Sequence, residues 1–154
     1  MTLSQKESIL LEDLKSHEKL CIEKYAQYSS EASDGQLKNL FSQLGQTEQQ
    51  HLNTLEQIAG GTAPTMSGGS GQSSGSSQQQ SGAQSVSSSY SSDSAAKQRD
   101  QFLCSDLLAT EKHVSSVYDT CIFEFKDEQV RNTLNHIQKE EQQHGKQIYD
   151  FMSA

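Results

Sequence analysis

Apolar residues recur every three or four positions in four stretches of the chain, which is the spacing of one face of an α-helix. The first three stretches cover about residues 4–32, 35–58 and 95–125, and the fourth stretch begins after Asp127. Asp34 and Asp127 each stand just before a stretch and are predicted to be helix N-caps. The pattern therefore predicts an all-α chain of four helices.

The chain between the second and third stretches has a different composition. Residues 60–94 consist mainly of Gly, Ser and Gln and contain few large apolar side chains. Such a segment cannot bury enough surface to offset its ordering entropy, so we predict a disordered linker. A flexible chain of this length spans roughly 30 Å, about the length of a bundle helix. We expect one helical hairpin in residues 1–59 and a second in residues 95–154.

The two predicted hairpins are copies of one another. A shift of 93 residues superposes them without a gap and brings Glu48-Gln49-Gln50-His51 onto Glu141-Gln142-Gln143-His144. Their apolar stripes correspond as well. One hairpin cannot cover its own stripe, so we expect the two copies to pack together as a pseudo-symmetric four-helix bundle.

Six polar residues interrupt the apolar stripes at equivalent places. Residues three apart on a helix share a face, so each Glu-x-x-His pair presents a carboxylate beside an imidazole. Each remaining helix contributes one further glutamate. The six candidate metal ligands are Glu18, Glu48, His51, Glu111, Glu141 and His144. Four carboxylates and two imidazoles form a ligand set suited to two bridged divalent ions, of iron or manganese.

The spacing predicts that these residues lie at one level of the bundle. Glu18 and Glu48 are equally distant from the turn near Ser33, and Glu111 and Glu141 are equally distant from Lys126. In antiparallel helices of equal rise, such residues lie at the same height. The alternative is a hydrogen-bonded polar layer that holds no metal.

Other side chains carry weaker signals. Tyr25 and Tyr118 follow the lone glutamates by two turns and face the predicted core. We favour a packing role for both, and the alternative is a hydrogen bond from each hydroxyl to a ligand carboxylate. The remaining histidines lie off the stripes and are expected in solvent. The three cysteines have no paired spacing and are expected to be small, reduced core residues. The three histidines are His17, His113 and His136, and the cysteines are Cys21, Cys104 and Cys121.

Composition narrows the classes of function. Twelve basic and twenty acidic residues give the chain a net charge of −8. That balance argues against binding to nucleic acid or to an anionic membrane surface. No apolar run is long enough to span a bilayer. The start of the sequence lacks a basic end and an apolar core, so we predict an intracellular protein without a signal peptide.

The ligand pattern, one glutamate followed by Glu-x-x-His and then repeated, resembles the ferritin-like superfamily of bacterioferritins, rubrerythrins and manganese catalases. That resemblance implies a long crossover between the second and third helices and a dinuclear metal centre. Rubrerythrins have a further glutamate one turn after the third-helix ligand, whereas this chain has Val114. It also lacks rubredoxin-like cysteine pairs.

The second hairpin is similar to the Coat F family of bacterial spore coat proteins. The similar segments are Asp106-Leu107-Leu108-Ala109-Thr110-Glu111-Lys112, Glu140-Glu141-Gln142-Gln143-His144 and Tyr149-Asp150-Phe151-Met152, with Tyr118 and Arg131 between them. The resemblance implies a place in the spore coat and other coat proteins as partners. It implies no particular catalytic activity.

Two hypotheses of different class follow. The first is a structural or assembly protein of the spore coat, built on a ferritin-like bundle with a dinuclear iron or manganese site. The second is a dimetal oxidoreductase that acts on O2 or peroxide, of the ferroxidase, peroxidase or catalase type. The complete ligand set favours the enzyme, and the Coat F-like hairpin favours the coat protein.

Overall fold

Four helices contain most of the residues that the structure describes. The structure is a computed structural model, and it describes residues 1–64, 90 and 94–154. The helices are α1 (Gln5–Glu31), α2 (Gly35–Ala59), α3 (Ser94–Ile122) and α4 (Glu128–Ser153). The prediction of four helices is confirmed, and the described residues contain no strand. Most of the predicted linker, residues 65–89 and 91–93, lies outside the described part of the chain.

Both predicted N-caps are confirmed. The Asp34 carboxylate accepts the backbone N–H groups of Gln36 and Leu37, and Asp127 accepts that of Val130. Helix α3 ends three residues earlier than the predicted Phe125, because a turn follows Ile122.

The helices pair as two hairpins, α1 with α2 and α3 with α4. The hairpins meet through α1 against α3 and α2 against α4. Near the start of α3, the Asp100 carboxylate accepts the backbone N–H groups of Ser33 and Asp34 in the α1–α2 turn, at 2.8 and 3.0 Å. At the other end, Lys6 of α1 pairs with Glu124 beyond α3 at 2.7 Å. Helices α1 and α3 are therefore antiparallel, and α3 begins at the opposite end of the bundle from the end of α2.

The core consists of two apolar clusters. One contains Leu11, Leu14 and Leu55 together with Val130 and Leu134, near the start of α1. The other surrounds the α1–α2 turn. Its largest members are Tyr25, Leu37, Phe41, Leu44, Leu103, Leu107 and Ile148. The candidate metal ligands lie on the helices between these two clusters. The polar level of the bundle is therefore enclosed by apolar packing above and below.

Burial repeats between the hairpins as the sequence does. Buried positions of α1 correspond to buried positions of α3 after the 93-residue shift, and those of α2 correspond to those of α4. Two buried residues of α2 are exceptions, since Leu52 corresponds to the partly exposed Gly145 and Ile58 to the partly exposed Phe151. The two halves therefore share one core design and differ at particular positions.

Candidate metal centre

All six predicted ligands lie in the core and come together. Each is at most 4% exposed, and a buried carboxylate or imidazole needs a charge partner or a hydrogen bond. They form two groups of four, and the potential ligand atoms within each group lie within 4.8 Å of one another. The first group is Glu18, Glu48, His51 and Glu141, and the second is Glu48, Glu111, Glu141 and His144. Glu48 and Glu141 belong to both groups.

Each group draws on both hairpins. The first contains three residues of the first hairpin and Glu141 of the second. The second contains three residues of the second hairpin and Glu48 of the first. Glu48 and Glu141 would help to hold an ion in either position. Glu18 and Glu111 would each serve one position.

Both histidines turn Nδ1 toward the carboxylates. His51 Nδ1 lies 3.2 Å from Glu48 Oε2 and 3.1 Å from Glu141 Oε1. His144 Nδ1 lies 2.9 Å from Glu48 Oε1 and 3.4 Å from Glu111 Oε1. The two imidazole rings stack with their centroids 5.9 Å apart. Nδ1 is therefore the ring atom that each histidine offers as a ligand.

Three carboxylate oxygens at this level have no hydrogen-bond partner among the described residues. They are Glu18 Oε2, Glu111 Oε2 and Glu141 Oε2. A buried carboxylate oxygen without a partner is costly, because the oxygen has lost its water and gained nothing in return. A divalent ion in each group would satisfy these oxygens. The donor set and its unpartnered atoms therefore fit a pair of divalent ions.

The four carboxylates cannot all be ionised at this density of negative charge. Burial, reinforced by the nearby Glu18, raises the pKa of Glu48 to about 10. Burial and the neighbouring Glu111 raise the pKa of Glu141 well above its ordinary value. Without cations, these two carboxyl groups therefore keep protons that bound cations would displace.

The pKa values of the other two carboxylates, Glu18 and Glu111, are lowered instead. Burial acts to raise the pKa of Glu18, but the neighbouring Glu48 and His51 outweigh it and lower that pKa. Burial is likewise outweighed at Glu111, where hydrogen bonds involving Glu141 and His144 lower the pKa to about 2. The metal-free layer is thus a set of protonated and ionised carboxyl groups that share protons.

The tyrosines join the two hairpins at the ligand level. Tyr25 donates its hydroxyl hydrogen to Glu111 Oε1 at 2.5 Å, and Tyr118 donates to Glu18 Oε1 at 2.6 Å. We call Glu18 and Glu111 the terminal glutamates, because each belongs to one ligand group only. Each bond joins a tyrosine of one hairpin to the terminal glutamate of the other hairpin. Both rings are also fully buried. The packing that we favoured is present, and the alternative, a hydrogen bond to a ligand carboxylate, is present too.

A fifth carboxylate, which the sequence analysis did not single out, contacts the centre. Glu140 Oε1 lies 3.2 Å from His51 Nε2 and 2.9 Å from Nε2 of the surface residue His136. With Nδ1 turned toward the ligands, Nε2 of His51 is the nitrogen that can carry the proton and donate to Glu140. Glu140 corresponds to Thr47 in the first hairpin, but most positions of the repeat differ, so this mismatch by itself carried no signal.

The remaining histidines and cysteines lie apart from the two groups. His17, His113 and His136 are partly or fully exposed, as predicted from their places off the stripes. All three cysteines are buried and unbridged. Burial raises the pKa of Cys104 to about 12 and is the main cause that raises that of Cys121 to about 11, so these thiols remain protonated at neutral pH.

The fold and the buried layer define an all-α bundle of two hairpins around a carboxylate–histidine centre. Residues 99–154, which include almost all of α3 and the whole of α4, match the family model of the Coat F domain. The resemblance noted for the second hairpin is therefore confirmed in that part of the chain. The match contains Glu111, Glu141 and His144 and leaves the first hairpin outside. No curated protein and no solved structure matches the chain. Among the described residues, no helix is long and apolar enough to cross a membrane.

Proposed function

We propose that this chain is a structural component of the bacterial spore coat whose ferritin-like bundle holds two iron or manganese ions. The proposal combines the Coat F match of residues 99–154 with the buried centre. Its partners are other proteins of the coat. The ions cross-link the two hairpins from within, because each ion position takes ligands from both.

One observation carries the metal part of this proposal. Two groups of four ligand residues share Glu48 and Glu141, and three unpartnered carboxylate oxygens lie within those groups. In the alternative, a hydrogen-bonded polar layer, only protons held on Glu48 and Glu141 could partner these oxygens. Two cations explain both the shared glutamates and the free oxygens.

The side chains around the groups hold the ligands in place. Tyr25 and Tyr118 fix the terminal glutamates, since each hydroxyl donates to one oxygen and leaves the other free. Glu140 fixes the ring of His51 through Nε2. Bound iron or manganese would supply Lewis acidity and one-electron redox chemistry at this level. The apolar clusters above and below keep bulk water away from the carboxylates.

A second candidate function is an oxidoreductase that acts on O2 or peroxide at the same centre. One observation favours it: a groove between α3 and α4 borders Glu111 and Glu141. The carboxyl groups of both residues are buried, so the groove lies beside the centre without opening into it. The two functions are compatible, since a coat component can also consume an oxidant.

Metal loading tests the proposal. The purified protein is incubated anaerobically with Fe(II) or, separately, Mn(II), desalted and analysed for metal. We expect about two ions per chain. A Glu18→Ala/Glu111→Ala variant should lose them, because each position loses one of its carboxylates.

The matched control is Glu23→Ala/Asp119→Ala, which removes exposed acids from the same two helices and should keep both ions. Absence of stoichiometric metal in the folded parent protein would contradict the metal part of the proposal. The coat part is tested separately, by asking whether the protein is extracted with the coat fraction of purified spores.

A further inference from the structure

Two of the histidines outside the buried centre meet on the surface of the bundle. His17 of α1 and His113 of α3 have their ring centroids 5.4 Å apart, and the rings meet edge to face at an interplanar angle of 64°. The side chain of His17 is 23% exposed, and His113 is exposed as well. The pair therefore presents two imidazoles to solvent, one from each hairpin.

The separation of the two rings suits a shared metal ion. A zinc ion lies about 2.0–2.1 Å from an imidazole nitrogen, which places it about 3 Å from the ring centroid. Two imidazoles of a tetrahedral site then have their centroids about 5 Å apart. The observed 5.4 Å is close to this value. Rotation about χ2 redirects the ring nitrogens and hardly moves the centroid, so one ion can bind both rings without movement of either helix.

The groups around the rings leave nitrogen atoms available and favour positive charge. Among the described residues, the ring of His113 has no hydrogen-bond or ion-pair partner. His17 Nε2 lies 3.7 Å from Asp13 Oδ2, and a carboxylate beside one nitrogen orients an imidazole that ligates through the other. Lys24 lines the same groove between α1 and α3, but its ammonium group is paired with Asp106 at 3.1 Å. A cation near the rings therefore gains from Asp13 and meets a lysine whose charge is already compensated.

The surface pair differs from the buried centre in its ligand chemistry. Neither His17 nor His113 belongs to a ligand group of the centre, in which carboxylates outnumber imidazoles. Imidazole suits zinc, copper and nickel, whereas carboxylates suit manganese. The pair is therefore expected to take a different kind of ion from the centre.

We propose that His17 and His113 form a surface site for a divalent transition-metal ion that prefers nitrogen ligands, with zinc as the representative ion. Water completes the coordination of the bound ion. Because each hairpin supplies one imidazole, the ion joins α1 to α3 from outside the core. The proposal stands on the geometry of the two rings and does not depend on iron or manganese in the buried centre.

Zinc titration tests the site in a chain whose buried centre is weakened. The background is Glu18→Ala/Glu111→Ala, with circular dichroism confirming its helices. Addition of His17→Ala or of His113→Ala should each weaken zinc binding at one site about 100-fold, because the second imidazole of a pair binds as an intramolecular event. Zinc that the chain still binds without both imidazoles measures what the buried groups contribute.

The matched control is His136→Ala in the same background. His136 is also exposed and lies beside a carboxylate four residues away, Glu140, as His17 lies beside Asp13. It differs in having no imidazole of the other hairpin against its ring. Its loss should leave the zinc affinity of the site unchanged.

Chemical protection tests the same site in the parent protein. Diethyl pyrocarbonate modifies accessible imidazoles, and peptide mass spectrometry reports which ones. Zinc should protect His17 and His113 together, at the same zinc concentration, and should leave His136 reactive.

The outcomes separate this proposal from that of the buried centre. Unchanged zinc affinity in the His17→Ala or the His113→Ala chain would overturn the surface site, and so would equal protection of all three histidines. The expected losses in a protein that binds no iron or manganese would support the surface site while the proposed centre fails. Two bound iron or manganese ions without zinc protection would do the reverse.

Discussion

His51 and His144 occupy equivalent places in the two hairpins but have different neighbours. His51 Nε2 lies 3.2 Å from Glu140, whereas the residue at the corresponding place beside His144 is Thr47. The Nδ1 atoms of both rings face the shared glutamates. The repeat is thus kept by the candidate ligands and by Tyr25 and Tyr118, and it differs at the outer neighbours of the two histidines.

This difference indicates where each half has been free to change. A change at Glu48 or Glu141 would alter both proposed ion positions at once, because each residue belongs to both groups. A change at residue 47 or 140 alters one histidine only. The outer layer is therefore where two chemically similar positions can acquire different properties, and the predictions below test how far they differ.

The largest expected effect concerns the shared glutamates, for which the two halves should behave alike. Glu48→Ala and Glu141→Ala should each lose most bound metal, because either change removes a carboxylate from both positions. Elemental analysis after anaerobic loading measures the loss. Full metal content in both variants would rule out the shared-ligand arrangement, and a loss in only one would break the symmetry of the core.

The next prediction concerns the different outer neighbours of His51 and His144. Glu140→Ala should weaken one of two successive metal-binding steps by about 10- to 100-fold, the usual cost of losing an outer partner of a histidine ligand. Thr47→Ala, its counterpart, should leave both steps unchanged. Competition titration with a chelator resolves the two steps, and equal effects of the two substitutions would show that Glu140 does not distinguish the positions.

A third prediction is that Tyr25 and Tyr118 contribute equally to the free energy of unfolding. Tyr25→Phe and Tyr118→Phe each remove the donor to a terminal glutamate and should lower the free energy of unfolding by about 1.5–3 kcal/mol, the range for hydrogen bonds to charged groups. Urea titration of the metal-free variants measures this loss. If one tyrosine mattered far more than the other, the two crossing bonds would not be equivalent.

The smallest effect concerns the contact between α1 and α3 around Asp106. Asp106 accepts hydrogen bonds from Lys24 at 3.1 Å and Tyr28 at 2.7 Å, whereas the corresponding Asp13 lies opposite Val117 and Cys121 in the repeat. Asp106→Asn should cost about 1 kcal/mol at pH 7, and Asp13→Asn should cost less.

The pH dependence of that difference follows from the Asp106 carboxyl group. Burial acts to raise its pKa, but the bonds from Tyr28 and Lys24 outweigh burial and lower it. The stabilisation is therefore present above the ordinary pKa of 3.8 and is lost as pH falls below it. Urea titrations at pH 7 and pH 3 should show the Asp106→Asn deficit shrinking, and a constant deficit would contradict the ionised contact.

Much of the architecture was predictable because the two hairpins repeat the same pattern of apolar and polar positions. Periodicity placed the four helices, and the 93-residue repeat distinguished buried glutamates such as Glu18 from surface ones. The N-caps Asp34 and Asp127 followed from their positions before apolar stretches. The early end of α3 at Ile122 was missed, because an apolar stripe continues through Phe125 although the backbone has already turned.

The outer parts of the centre were harder to predict. Which glutamate each tyrosine reaches depends on how the hairpins pack, which no spacing within one hairpin reveals. Glu140 lies next to a ligand and off the apolar stripe, so it has the pattern of a surface residue. Thr47 against Glu140 and Leu52 against Gly145 are two of many differences between the repeats, so a mismatch alone does not mark a residue beside the centre.

The composition of the two ligand groups has a consequence for the origin of the chain. Each hairpin carries three of the six ligands, so one hairpin paired with a second copy of itself would already assemble the complete set. A gene for a single hairpin could therefore have encoded a homodimer with two identical ion positions. Fusion of two such genes would then have required only a connecting segment, and it would have let each copy mutate without its twin. Glu140 and Gly145 are changes that a symmetric dimer could not have made on one side alone.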